Sequence, residues 1–329
     1  MHRHRPLIAI IGATGLLAAC GAADESGAEP VEPVAESETS EETTPAAFVD
    51  ALGEIGKDWV IADYVHFVDQ SRINELEKSD EGWKELGANR SAQTLSYLAQ
   101  PEALLGLDFA SAEFVISAGG LWDGDFNGVS LISGGQDTAW VEEMAMTSGW
   151  VGQSPLFRYE GNQPNVPQGM QVLLVDDDSV ATANPETDMD VVGGLDPTLA
   201  EQEHIGDLAQ CLGDPVSADI YYRVRPDATD EYAVGVVVGE DGEPRSVVCS
   251  WFRNAYIAEQ VGDKAVEDVR NADIRGTTEF SGRKYNELFD SPTVSVVGTM
   301  LRTELSHKDD TPIDAIITLG NGWTALGIS

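Results

Sequence analysis

Ala218-Asp-Ile-Tyr-Tyr-Arg-Val-Arg225 sets Ala218, Ile220, Tyr222 and Val224 against Asp219, Tyr221, Arg223 and Arg225. Successive side chains of a strand point to opposite faces, so this period of two describes a strand with one dry and one wet face. Parallel strands are usually covered on both faces and read as continuous apolar runs, so the alternation argues for an antiparallel sheet. Two neighbouring runs extend it, Tyr232–Val238 and Arg245–Phe252, joined across Asp241-Gly242, a pair suited to a hairpin turn.

Further strands are expected at Trp59–Phe67, at Thr293–Leu301 and at Ile313–Leu319. Two more hairpins are read from Glu113–Ser117 with Asn127–Ile132, and from Met170–Val175 with Ser179–Thr182. Between them lie helical segments: about Ala46–Gly56, Ser71–Lys78, Ala92–Leu105, Asp137–Thr147 stopped by Gly149, and Asn254–Arg270. The clearest takes Asp196 as N-cap and Pro197 as first residue, with Ile205, Leu208, Ala209 and Leu212 at i, i+3, i+4 and i+7, and ends at Gly213. Hairpins separated by helices, without regular strand–helix alternation, give an α+β fold of mainly antiparallel sheet with packed amphipathic helices. The chain divides into an N-terminal half, 48–195, and a C-terminal half, 196–329. Glu113–Thr147 and Glu231–Arg270 share a hairpin-then-helix order that suggests two related halves.

Residues 1–19 have the order of an export signal: basic Met1-His-Arg-His-Arg5, an apolar run from Leu7 to Leu17, then small residues. The run is too short to span a bilayer comfortably. Leu17-Ala-Ala-Cys20 resembles a bacterial lipobox, which marks Cys20 for lipidation and the chain for the outer face of the cytoplasmic membrane. Residues 20–47 follow as an acidic stretch of Glu, Ala, Ser, Thr, Pro and Val without periodicity, expected to be a disordered tether.

Nineteen basic against 57 acidic residues give a net charge of −38 over 329 residues. Loss of Arg3 and Arg5 with the signal makes −40; eight acidic residues of the tail account for −8 and leave −32 on the folded part. Such a surface repels nucleic acid and anionic lipid headgroups and draws cations. It also suits a high-salt habitat, where self-repulsion is screened. Of three cysteines, Cys211 and Cys249 remain as an even pair in an oxidising compartment and are expected to form a disulfide. No basic group or histidine sits near either in sequence, which argues against a catalytic thiol.

Motifs that carry chemistry are incomplete. Asp123-Gly-Asp125-Phe-Asn127-Gly128 copies the first half of a calcium loop, but Gly134 stands where the bidentate carboxylate belongs, so turn formation is the better reading. Asp176-Asp-Asp178 and His307-Lys-Asp309-Asp310 read as solvated loops, and His66, His204 and His307 are too far apart in sequence to announce a zinc site. Ser281-Gly-Arg-Lys284 matches one element of penicillin-binding enzymes, without the Ser-x-Asn and Lys-Thr-Gly elements that chemistry needs. Trp122, Trp150, Tyr159, Tyr221, Trp251 and Trp323 could line a ligand cleft, although aromatics more often fill a core. No catalytic, cofactor-binding or metal-binding residues are assigned.

The chain resembles a loose group of uncharacterised actinobacterial cell-surface lipoproteins over about Phe48–Asp273. The resemblance rests on the tether after Leu-Ala-Ala-Cys20, on Gly124-Asp-Phe126 leading to a helix that ends Ser148-Gly-Trp150, and on the hairpin Val172–Ala183. It rests also on Ala209-Gln-Cys-Leu-Gly213 leading to strands that end Val247-Val-Cys249. It implies the location, the fold class and the disulfide, and supplies no catalytic residues. The leading expectation is a membrane-anchored, non-enzymatic module that binds another envelope component. A solute- or ion-binding lipoprotein serving a transporter or sensor is the alternative, with a small-molecule ligand, and a hydrolase comes third.

Overall fold

The computed structural model describes residues 47–56, 63–87, 105–122, 125–161, 166, 170–193, 197–222, 231–274, 280–290 and 292–319. The expected signal, Cys20 and tether lie outside these residues, as do positions 59–62 of the first expected strand and nearly all of the expected helix Ala92–Leu105.

Twelve antiparallel strands form one sheet. In chain order they are β1 (Tyr64–Asp69), β2 (Phe114–Trp122), β3 (Asp125–Ser133), β4 (Trp150–Gln153), β5 (Leu156–Tyr159), β6 (Val172–Asp176), β7 (Ser179–Ala183), β8 (Pro215–Tyr221), β9 (Glu231–Val238), β10 (Pro244–Trp251), β11 (Thr293–Val297) and β12 (Met300–Ser306). Across the sheet the order is β11-β12-β10-β9-β8-β1-β2-β3-β7-β6-β5-β4. The α+β reading therefore holds. The two halves of the chain meet where β1 pairs with β8, Tyr64 opposite Tyr221 and His66 opposite Asp219. From that seam each half runs outward as a three-stranded meander. A helix follows each meander, and a later hairpin adds to its third strand, β7-β6 beside β3 and β12-β11 beside β10.

The helices are α1 (Ala47–Gly53), α2 (Gln70–Leu76), α3 (Thr138–Ser148), α4 (Ile205–Leu212), α5 (Ala255–Asn271), α6 (Tyr285–Leu288) and α7 (Ala315–Leu319). On one face of the sheet, α1 and α4 bury Phe48, Leu52, Leu208 and Leu212 against Phe67, Ile116, Ile220 and Val247 in a single cluster. On the other face the apolar residues form two separate large clusters. One gathers Val68, Val234, Val248 and Leu305 with residues of α5, α6 and α7. The other gathers Val115, Ile132 and Val180 with Val141 and Ala145 of α3.

Cover on both faces corrects the reading of 218–225 as half wet. Asp219 is only 3% exposed, and β8 is buried along nearly its whole length. Positions 223–225 lie outside the described residues. The expected helix from Pro197 also differs, and Asp196 too is outside the described residues. Leu199–Glu201 make a short 3-10 turn, and the α-helix starts afresh at Ile205. His204, with φ +73°, breaks the path between them. Gly206 then lets the helix pass so close that a Cβ there would lie 2.2 Å from the Ala200 carbonyl oxygen. Thr293–Leu301 is not one strand but the turn of the β11–β12 hairpin, reversed at Gly298 with φ +59°. Ile313–Leu319 contains helix α7 rather than a strand; Ala315, Ile316, Ile317 and Leu319 are all buried, and a short apolar run buried all round has no period to separate helix from strand.

Candidate functional site

Trp251 closes β10 half-buried, and the His204 imidazole lies on its indole with ring centroids 3.8 Å apart and planes 24° from parallel. His204 Nδ1 is paired with Glu231 Oε2 at the start of β9, and Tyr222 meets the ring edge-on at 6.5 Å. These contacts hold His204 in a backbone conformation, φ +73° and ψ −38°, that L-residues rarely adopt. Such geometry costs roughly 1–3 kcal/mol and persists only where the surroundings over-determine it.

Beside Trp251, α4 stops short of the outer strands and leaves a groove of about 500 Å³. Asp207 and Gln210 of α4 form one wall; Trp251, Met300, Arg302 and Val297 form the floor and the other wall. Arg302 is fixed by Glu304, Nη1 to Oε2 at 2.6 Å, and by donation from Nε to the Cys211 carbonyl at 3.0 Å. It also lines a second hollow of about 640 Å³ that runs past Arg72, Asp214 and Arg245. There the Asp69 carboxyl is raised above its ordinary value by burial, opposed by the Arg72 backbone N–H and then by its guanidinium. The disulfide Cys211–Cys249 ties α4 to β10 under the groove, with Cα atoms 6.1 Å apart.

The strands that bound this groove have one open face. Val294 and Val296 of β11 pack on α5, where Gly262 admits the hairpin so closely that a Cβ would meet Val296 at 2.9 Å. Thr293, Ser295 and Val297 alternate with them and are exposed, Val297 to 78%. Tyr256 and Ile257, at the start of α5 just beyond Trp251, are exposed as well. β11 is the last strand of the sheet and carries no charge along Thr293–Val297.

The two cysteines expected to pair do so. Asp125 to Asn127 run in β3, paired with β2, while Asp123 and Gly124 lie outside the described residues. Asp176–Asp178 are exposed at the β6–β7 turn, with Asp177 at φ +43°. Ser281 is exposed in a turn, and Lys284 precedes the short α6. His307 turns inward to Ser246, 2.6 Å from its Oγ, while Asp309 and Asp310 stay exposed. Its pKa is lowered to about 4 by burial and by Arg245, with Asp314 opposing. The three histidines occupy separate sites, and among the described residues no group of His, Cys, Asp and Glu is gathered to hold a metal ion. Of the aromatics, Trp150 is 1% exposed with Tyr159 tilted against it in the core, Tyr221 stacks on Tyr232, and Trp251 lines the groove. The Trp122 side chain and Trp323 are outside the described residues.

One constellation has no counterpart in the sequence motifs. His66 Nδ1 lies 2.7 Å from Asp219 Oδ1, both 3% exposed, and the same carboxylate accepts from Tyr64 Oη at 2.8 Å and Tyr221 Oη at 3.3 Å. These residues come from strands that pair across the seam but are some 150 positions apart in the chain. The signal in the sequence was Asp219 itself, an acid within a strand otherwise able to be covered on both sides. No protein-family profile, curated protein or solved structure matches this chain.

Proposed function

We propose that this chain is a lipid-anchored extracytoplasmic module, akin to the actinobacterial surface lipoproteins it resembles, that binds a cationic segment of another envelope protein beside Trp251. The groove carries the reading. It offers one large half-buried aromatic, an uncharged open strand next to it, and a backbone held at some cost in one conformation. Tryptophan in a pocket is the residue type that most often dominates protein–protein affinity. The net charge of −38 favours a basic partner, as does the carboxylate of Asp207 in the groove wall. Leu17-Ala-Ala-Cys20 supports the anchor, and a disulfide in the folded part suits an oxidising compartment.

The test places a photo-crosslinking amino acid at Val297 in the chain expressed with its own Cys20 on intact cells. A discrete adduct with one envelope protein is expected. Trp251→Ala should weaken binding of that partner about thirtyfold, the usual scale for a buried aromatic anchor. Cys20→Ala should release the chain from the membrane fraction and abolish the adduct. An adduct that survives Trp251→Ala unchanged, or none at all, overturns the docking reading.

A further inference from the structure

On the face of the sheet opposite the groove, a line of polar residues crosses five neighbouring strands. Thr182, Ser130, Ser117, His66 and Asp219 stand directly opposite one another in register on β7, β3, β2, β1 and β8. None is more than 3% exposed. The line separates the two apolar clusters on this face, whereas the cluster beneath α1 and α4 continues across the seam. Two register steps along, Gly128 opposes Gly119 and Gly119 opposes Tyr64, so two adjacent strands carry no side chain there. Tyr64, Tyr221 and Tyr232 continue that second row, with ring centroids 5.3 and 4.7 Å apart. The result is a polar floor bounded by a tyrosine wall.

The hydrogen bonds leave capacity on that floor. Asp219 accepts from three donors and is fully used. Its bond to Nδ1 sets the His66 tautomer, so Nε2 bears the free lone pair. That atom is buried without a partner, as is the Thr182 hydroxyl. Ser117 and Ser130 bond to each other at 2.7 Å, which keeps one hydroxyl proton of the pair for a further acceptor. Leaving a buried polar group unmade costs roughly 1–3 kcal/mol, and valine in place of Thr182 would avoid it. Because Ser117 bonds to Ser130, the line is not an assembled nucleophile. It holds no lysine or arginine to balance an anion, and its carboxylate is already saturated.

We infer that this floor is a binding site for a small neutral hydroxylated molecule, a monosaccharide or cyclic polyol, that donates to His66 Nε2 and exchanges hydrogen bonds with Ser117, Ser130 and Thr182. The site lies on the other face from Trp251 and stands independently of the docking reading.

The experiment uses the full lipidated chain in detergent, with D-glucose and myo-inositol as probes and gluconate as the anionic control. A saturable rise in Tm is expected with at least one neutral probe and none with gluconate. Sugars also stabilise proteins by exclusion from their surface, but that effect does not saturate. Thr182→Val, which removes only the unpartnered hydroxyl, should raise the half-saturating concentration roughly tenfold while folding as well as the parent. The His66 Nε2 nitrogen resonance should move when the probe binds, because a donor then occupies its lone pair. A rise that never saturates, one unchanged by Thr182→Val, an equal effect of gluconate, or no rise with either neutral probe overturns the site and leaves the floor to ordered water.

Discussion

At the scale of single residues, the polar groups that matter here are buried ones, and His307 gives the sharpest consequence. Its Nε2 faces Ser246, its Nδ1 is buried without a partner, and its pKa is lowered to about 4. The unfolded chain takes up a proton near 6.5, whereas the folded chain resists until about 4. Stability from this group is therefore complete above pH 6.5 and drains away as pH falls from there to 4. The whole span corresponds to about 3 kcal/mol. Urea midpoints of the parent and of His307→Gln, measured across that range, should converge as the pH drops; parallel curves would show that His307 titrates alike in both states. Nothing in His307-Lys-Asp-Asp pointed inward, because the loop's exposed acids set its character while its first residue continues the β12 alternation from Leu305. The His66–Asp219 pair was hidden for another reason: the sequence shows which residues alternate, but not which strand lies next to which.

At the scale of elements, local signals were read well and tertiary ones were not. Asp137 caps α3 by accepting from the Trp140 N–H at 3.1 Å, and Gly149 ends it with φ +103°. Asn254 caps α5 through the Ile257 N–H at 3.0 Å. Both ends are set by chemistry within four residues, so both were legible. The break before α4 depends on His204 being gripped by Trp251 and Glu231, far along the chain, and no local rule announces it. What then holds α4 to the sheet is its apolar face and the Cys211–Cys249 bridge, which spans 38 residues. Closing a loop of that length in the unfolded chain is worth about 4 kcal/mol in the chain-entropy account. Cys211→Ser combined with Cys249→Ala should lower the urea-derived stability by that order. A change under about 1 kcal/mol would mean that packing of Leu208, Ala209 and Leu212 alone secures the helix.

At the scale of the whole molecule, a sheet of twelve strands is continuous through the seam, so the two halves of the chain stabilise each other through β1 and β8. That architecture must hold together against a net charge of −38. Few of the acids are neutralised locally. The ion pairs of Arg72 with Asp214, Arg245 with Asp241 and Arg283 with Glu287 are at or near the surface, where each contributes little. The dominant electrostatic term is thus diffuse repulsion among carboxylates, and its range is set by salt. Raising ionic strength from about 0.01 to 1 M shortens the screening length from about 30 to 3 Å, below the spacing of most surface charges. Tm should climb by several degrees over that interval, most steeply at the low end, and sodium and choline chlorides should act alike because only ionic strength enters. A flat profile would show that the acids are spaced widely enough to be harmless even unscreened. A rise confined to sodium would instead mean that specific cation binding, rather than general screening, steadies the acidic surface.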